Sequence, residues 1–95
     1  MDVPLTRRHI LFYDYVENAV EARAPHREAH IALFREWTAA GRVLEGGALG
    51  DPPHGAAIVF ADAADAEEFA RVDPYVTNGV ATSWRIEPWS LVAGS

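Results

Sequence analysis

The chain has 95 residues, 49% of them apolar, no cysteine and a formal charge of −6. That is enough for a single domain with one core, and too little to enclose a large cavity without a second subunit. The missing cysteines exclude disulfides, thiol nucleophiles, zinc fingers and iron–sulfur ligation.

In chain order, His9–Tyr15 carries Ile10, Leu11, Phe12 and Tyr13 without alternation. Such a run predicts a central strand covered on both faces. Glu17–Arg23 reads as a short helical turn. The main helix follows over Pro25–Ala40, with Pro25 in its first turn and Gly41 at its exit. At about 100° per residue, Ala29, Leu33, Trp37 and Ala40 share one arc, with Phe34 at its edge. His30 falls inside that arc, and His26 lies one turn back.

Arg42–Leu49 predicts a second strand, interrupted by Gly46-Gly47. Glycine there marks a bulge or a place where a ligand or another backbone comes close. Gly50–Gly55 is a turn and Ala56–Ala61 a third strand, apolar on both faces. Asp62 caps a helix over Ala63–Arg71, with Asp65 in its first turn. Asp73-Pro74 opens a second small helical turn that leaves at Gly79. The last strand spans Val80–Val92, and Pro88 within it predicts an edge strand or a bulge.

The order β-α-β-β-α-β predicts an α+β, ferredoxin-like subunit. Its antiparallel sheet has strand order 4-1-3-2, with both helices on one face. The uncovered apolar face predicts a homodimer packed sheet to sheet.

All eight cationic side chains are arginine, so a Schiff-base or P-loop lysine is impossible. No serine lies in a Gly-x-Ser-x-Gly context. Proton transfer is left to His, Asp, Glu and Tyr, and no cofactor is expected. The acidic balance argues against phosphate tracking. The third strand has one aromatic and no cation, which removes the RNA-recognition reading of this topology. No apolar run fits a signal peptide or a membrane span. The expectation is a cytoplasmic protein that binds neither membrane nor nucleic acid and takes a small-molecule ligand.

His30 has two readings. It is a core-edge histidine satisfied by backbone, or a general base whose far nitrogen a carboxylate orients. Asp73 is an N-cap, or that carboxylate, or both at once through its two oxygens. His26 and His30 have metal-ligand spacing, but a zincin helix needs Glu where Arg27 stands, and beyond Asp73 and His54 no third ligand is at hand. No metal is expected. In the catalytic reading Phe34 and Trp37 supply a wall for a planar substrate. Gly46 and Gly47 let backbone approach it, and Arg27 and Tyr75 donate to an anionic intermediate.

The stretches Leu11-Phe12-Tyr13-Asp14-Tyr15, Arg27-Glu28-Ala29-His30, Gly41–Leu49, Asp51-Pro52-Pro53-His54-Gly55 and Asp73-Pro74-Tyr75 occur in this order. Together they resemble the YciI-like (YCII-related) family, over a span from Arg8 to Trp89. The resemblance implies a dimeric α+β barrel of ferredoxin-like subunits and a His–Asp pair at an active site, matched here by His30 and Asp73. Nothing functional transfers from it to His26. Most of the family has no assigned reaction, and some relatives resemble dehydrochlorinases or lactone-processing enzymes of aromatic degradation. Two functions follow: a small lyase or isomerase with His30 as base, or a non-catalytic dimeric module that binds a metabolite or serves as a scaffold.

Overall fold

The computed structural model describes residues 5–93. Residues 1–4, 94 and 95 lie outside it. The elements are β1 (Thr6–Tyr15), α1 (Ala19–Arg23), a 3-10 turn (Ala24–His26), α2 (Arg27–Ala39), β2 (Val43–Leu49), β3 (Gly55–Phe60), α3 (Ala63–Val72), α4 (Pro74–Thr77) and β4 (Ala81–Leu91). The four strands form one antiparallel sheet in the order β2-β3-β1-β4, as the sequence predicts.

Pleating sends alternate residues to opposite faces. Leu11 and Tyr13 of β1 point to the helices, opposite Ile58 and Ala56 of β3. α2 adds Trp37, and α3 adds Ala66, Phe69 and Ala70. Phe69 stands at the centre, its ring 5.2 Å from Trp37, 5.6 Å from Phe60 and 5.8 Å from Phe34. Burying each such side chain contributes roughly 1.5–3 kcal/mol. Both helices therefore lie on one face.

The buried stripe of α2 differs from expectation. Ala29 and Ala40 are exposed, whereas His30 and Trp37 are buried and Leu33 and Phe34 half-buried. The large side chains set the helix rotation, and two alanines offer too little apolar area to oppose them. The helix also starts two residues late. Pro25 sits in the 3-10 turn, and Arg27 is the first α-helical residue.

The glycine pair is not a bulge. Gly46 pairs with Ile58 and Gly47 with Ala57 in register, and the irregularity lies between Val43 and Glu45. Gly46 is needed for space: a Cβ there would stand 2.6 Å from Phe34 Cζ and 3.0 Å from the Ala57 carbonyl oxygen. Pro88 lies on an edge strand in register with His9, where its missing N–H costs no ladder bond. Asp62 holds the N-cap position of α3, but its side chain makes no capping bond.

The face away from the helices carries Ile10, Phe12, Ala57, Val59 and Trp89. Arg85 lies over the Phe12 ring at 4.5 Å, and Trp89 is 42% exposed. Among the described residues, no helix is long and apolar enough to cross a membrane.

Candidate active site

Asp73 occupies the junction where α3 ends and α4 begins. Pro74 cannot continue the first helix but suits the first position of the next. The Asp73 side chain is thereby turned inward, and the residue is fully buried. Its Oδ1 accepts from the Tyr75 backbone N–H at 3.0 Å and from His30 Nδ1 at 2.8 Å. Its Oδ2 accepts from the Tyr13 hydroxyl at 2.8 Å. Cap and histidine partner are thus one carboxylate, and both roles fall on one oxygen. The second oxygen belongs to Tyr13, which the sequence reading placed in the first strand but not in the site.

A carboxylate only accepts, so the His30 nitrogen facing it is the N–H and Nε2 carries the lone pair. The imidazole lies flat on the Tyr75 ring, centroids 3.7 Å apart and planes within 4°. Phe34 meets it edge-on at 5.9 Å. These contacts fix the ring plane, and Asp73 fixes its rotation. Among the described residues Nε2 has no hydrogen-bond partner, and no side-chain nitrogen or oxygen is both unpartnered and sealed from solvent. Nε2 therefore opens into the adjoining space.

That space is a pocket of about 210 Å³ between α2 and the β2–β3 edge. His30, Arg27, Phe34 and Tyr75 line it, with Gly46 and Gly47 on the sheet side. Trp37 does not. It lies seven residues beyond His30, about 10.5 Å along the axis, and packs against Phe69 beneath Arg42, whose guanidinium sits 3.5 Å from the indole. Its expected role as a substrate wall is corrected to a core role. Two polar lining residues were missed, Tyr15 and Arg23, along with four apolar ones. The tyrosines had a signal: Tyr13 and Tyr15 are two apart on a strand, hence on one face. A buried hydroxyl there needs a partner.

Burial, and then the neighbouring Asp73, hold the Tyr13 phenol far above its ordinary range. Burial, then Tyr75 and Asp73, push Tyr15 up to about 12, although Arg23 and Arg27 pull the other way. Burial likewise raises Tyr75 against the same two arginines. All three stay protonated near neutral pH and act as donors.

His26 holds the N-cap position of α2, and His54 lies in the turn before β3, where its carbonyl accepts from the Tyr15 N–H. Neither lines the pocket. Among the described residues no three His, Asp or Glu side chains gather as a metal site.

No curated protein matches the sequence. Among solved structures, the fold is similar to a 5-chloro-2-hydroxyhydroquinone dehydrochlorinase of Burkholderia phenoliruptrix AC1100, in complex with 2,5-dihydroxybenzoquinone. The TM-score is 0.70 at 16% identity, over 86% of this chain and 92% of that one. It is also similar to a protein of unknown function from Nitrosomonas europaea, with a TM-score of 0.55 at 16% identity, over 96% and 93% of the two chains. A family model matches residues 8–90, and the chain belongs to the YCII-related domain family.

Proposed function

We propose that the protein is a small lyase or isomerase in which His30 Nε2 takes a proton from a cyclic or aromatic metabolite. One observation carries the reading: His30 is bonded to a buried carboxylate on one side and open to a pocket on the other. An imidazole so held is a general base with a fixed tautomer. As the proton arrives at Nε2, Asp73 stabilises the imidazolium. The electron pair left on the substrate moves onto an oxygen, where Arg27 and Tyr75 can donate to it. In an elimination that pair returns to form the new π bond as a leaving group, chloride for example, departs with the electrons of its own bond to carbon; in an isomerisation the proton returns to another carbon. A planar ring would lie in the pocket beside His30 and Phe34. The related dehydrochlorinase, which holds a planar dihydroxybenzoquinone, supports that ligand class at the level of fold.

In the same reading two copies pair through the open sheet face, where Ile10, Phe12, Val59 and Trp89 would be covered. Sedimentation at tens of micromolar, where a micromolar interface is occupied, should give a dimer. A monomer would remove this part.

The catalytic part is tested by screening the purified protein against chlorinated hydroxyquinols and small lactones, following chloride release and ultraviolet absorbance. A substrate is expected among them, turned over by the parent and not by His30→Ala. A His30→Ala protein that folds and turns over normally would overturn His30 as the base, and a parent that turns over none of them would leave only the binding module.

A further inference from the structure

The pocket holds more donor capacity than proton abstraction needs. Arg42, Arg71 and Arg85 each reach a carboxylate, Arg42 two of them. The other five reach none among the described residues; of these, Arg23 and Arg27 line the pocket and make no side-chain hydrogen bond. Arg23 is half-buried, a costly place for an unpaired cation. Arg27 is the first residue of α2, where the helix dipole opposes a positive charge. Local stability explains neither position.

The two phenols beside them are also unpartnered. Tyr75 is 2% exposed, yet its hydroxyl bonds to no described residue. The same holds for the half-buried Tyr15, whose ring meets Tyr75 edge-on at 6.0 Å. No side-chain oxygen is both sealed and unpartnered, so both hydroxyls open to the pocket, which both residues line. All four residues line the same pocket, so the four groups form one cluster. Two cations and two neutral hydroxyl donors facing one cavity are a complement for an anion.

We propose that Arg23, Arg27, Tyr15 and Tyr75 form a carboxylate subsite, and that the ligand of this pocket is a planar single-ring acid. The carboxylate bridges the guanidiniums and phenols. The ring extends into the rest of the pocket, beside Phe34 and His30 Nε2. A volume of about 210 Å³ lies under the ~300–1,000 Å³ of drug-sized pockets, which sets the limit at one ring. The inference rests on the His30 reading for the ligand's orientation and adds the charge that selects it.

Benzoate and its neutral isostere benzamide are the probes, titrated into the isotope-labelled full chain and followed by NMR. Benzoate is expected to shift the amides of Gly46, Gly47 and Tyr75 and to bind at least about tenfold more tightly than benzamide. Arg23→Met and Arg27→Met should each weaken benzoate about tenfold and leave benzamide unchanged. Arg23→Lys, which keeps the charge, should fall between parent and Arg23→Met. A dispersed spectrum confirms that each variant folds. Equal binding of the two probes, no saturable binding of benzoate, or benzoate affinity unchanged in both Met variants would overturn the subsite. None of those results touches the His30 reading, which fails on His30→Ala turnover instead.

Discussion

The two ends of α2 solve the same problem in opposite ways. At the C-terminal end an aromatic side chain, Trp37, is buried against Phe69 and roofed by Arg42, which in turn bonds Asp65 and Glu68. Every charged group named there has a partner. At the N-terminal end His30 and Tyr75 are stacked and just as well buried, yet Nε2, the Tyr75 hydroxyl, Arg23 and Arg27 face open space. Burial is similar, but hydrogen-bond satisfaction is not. Buried polar groups are ordinarily paired, so an end whose donors and acceptors are left over is one prepared for something that comes from outside.

The sharpest way to break the comparison is to remove one aromatic from each end. Once a substrate is in hand, His30→Ala should lower kcat by about 10²–10⁴-fold if general-base transfer is the term lost. Its effect on stability should be smaller than that of Trp37→Ala. Trp37→Ala should do the reverse. Deleting a buried indole costs about 3–5 kcal/mol, out of a total near 5–15 kcal/mol for such a domain. Its urea midpoint should fall steeply while benzoate affinity, measured under native conditions, stays within about twofold of the parent, since contacts at a distance are close to additive. A Trp37→Ala protein of normal stability would show that the two ends do not divide the work in this way.

The third prediction concerns the phenols at the polar end. Their ionisation is disfavoured in the folded state, with Tyr15 at about 12 and Tyr13 higher. An acid whose folded pKa is raised contributes stability that is whole below its unfolded value, near 10. That stability is lost as pH climbs from there. The chain has three tyrosines, and burial raises each. Tyrosinate absorbance at 295 nm should therefore stay flat through pH 10 and rise in one step, together with the loss of circular dichroism. A gradual tyrosine titration near pH 10 with the dichroism unchanged would contradict the burial of these rings.

How much of this was legible beforehand depends on the range of the forces involved. The strand order followed from local patterns: unalternating apolar runs at Ile10–Tyr13 and Ala57–Phe60, and Pro and Gly at element ends. The contact between His30 and Asp73 spans 43 positions in the chain. Spacing offered it as one of two readings for each residue, and the family resemblance favoured it. Tyr13 as the third member escaped notice because it read as a core aromatic, and its hydroxyl acquires meaning only once Asp73 is beneath it. Arg23 escaped because a cation in a short polar helix looks solvated until the helix is docked. Trp37 was misassigned because an angular projection of a helix discards the axial coordinate, and the two turns between it and His30 separate core from pocket.

The smallest effect is expected at Arg42, and it sharpens the contrast between paired and unpaired arginines. The guanidinium bonds Asp65 through both Nε and Nη2, at 3.0 and 2.8 Å, reaches Glu68 as well, and covers the indole face. Such pairs at the surface contribute little because water screens them and two long side chains must be held still. Arg42→Met keeps much of the stem that packs on Trp37 and removes only the charge. The thermal midpoint should fall slightly, by far less than for Trp37→Ala. In high salt, where the screening length shrinks to about 3 Å at 1 M, most of the difference from the parent should vanish. Benzoate affinity should not move at all. Arg23→Met should show the mirror image, with its benzoate affinity weakened and its midpoint kept or raised, since the cation it removes has no partner among the described residues. If Arg42→Met weakens benzoate as much as Arg23→Met does, the arginines act through net charge alone and the distinction between the two ends of α2 collapses.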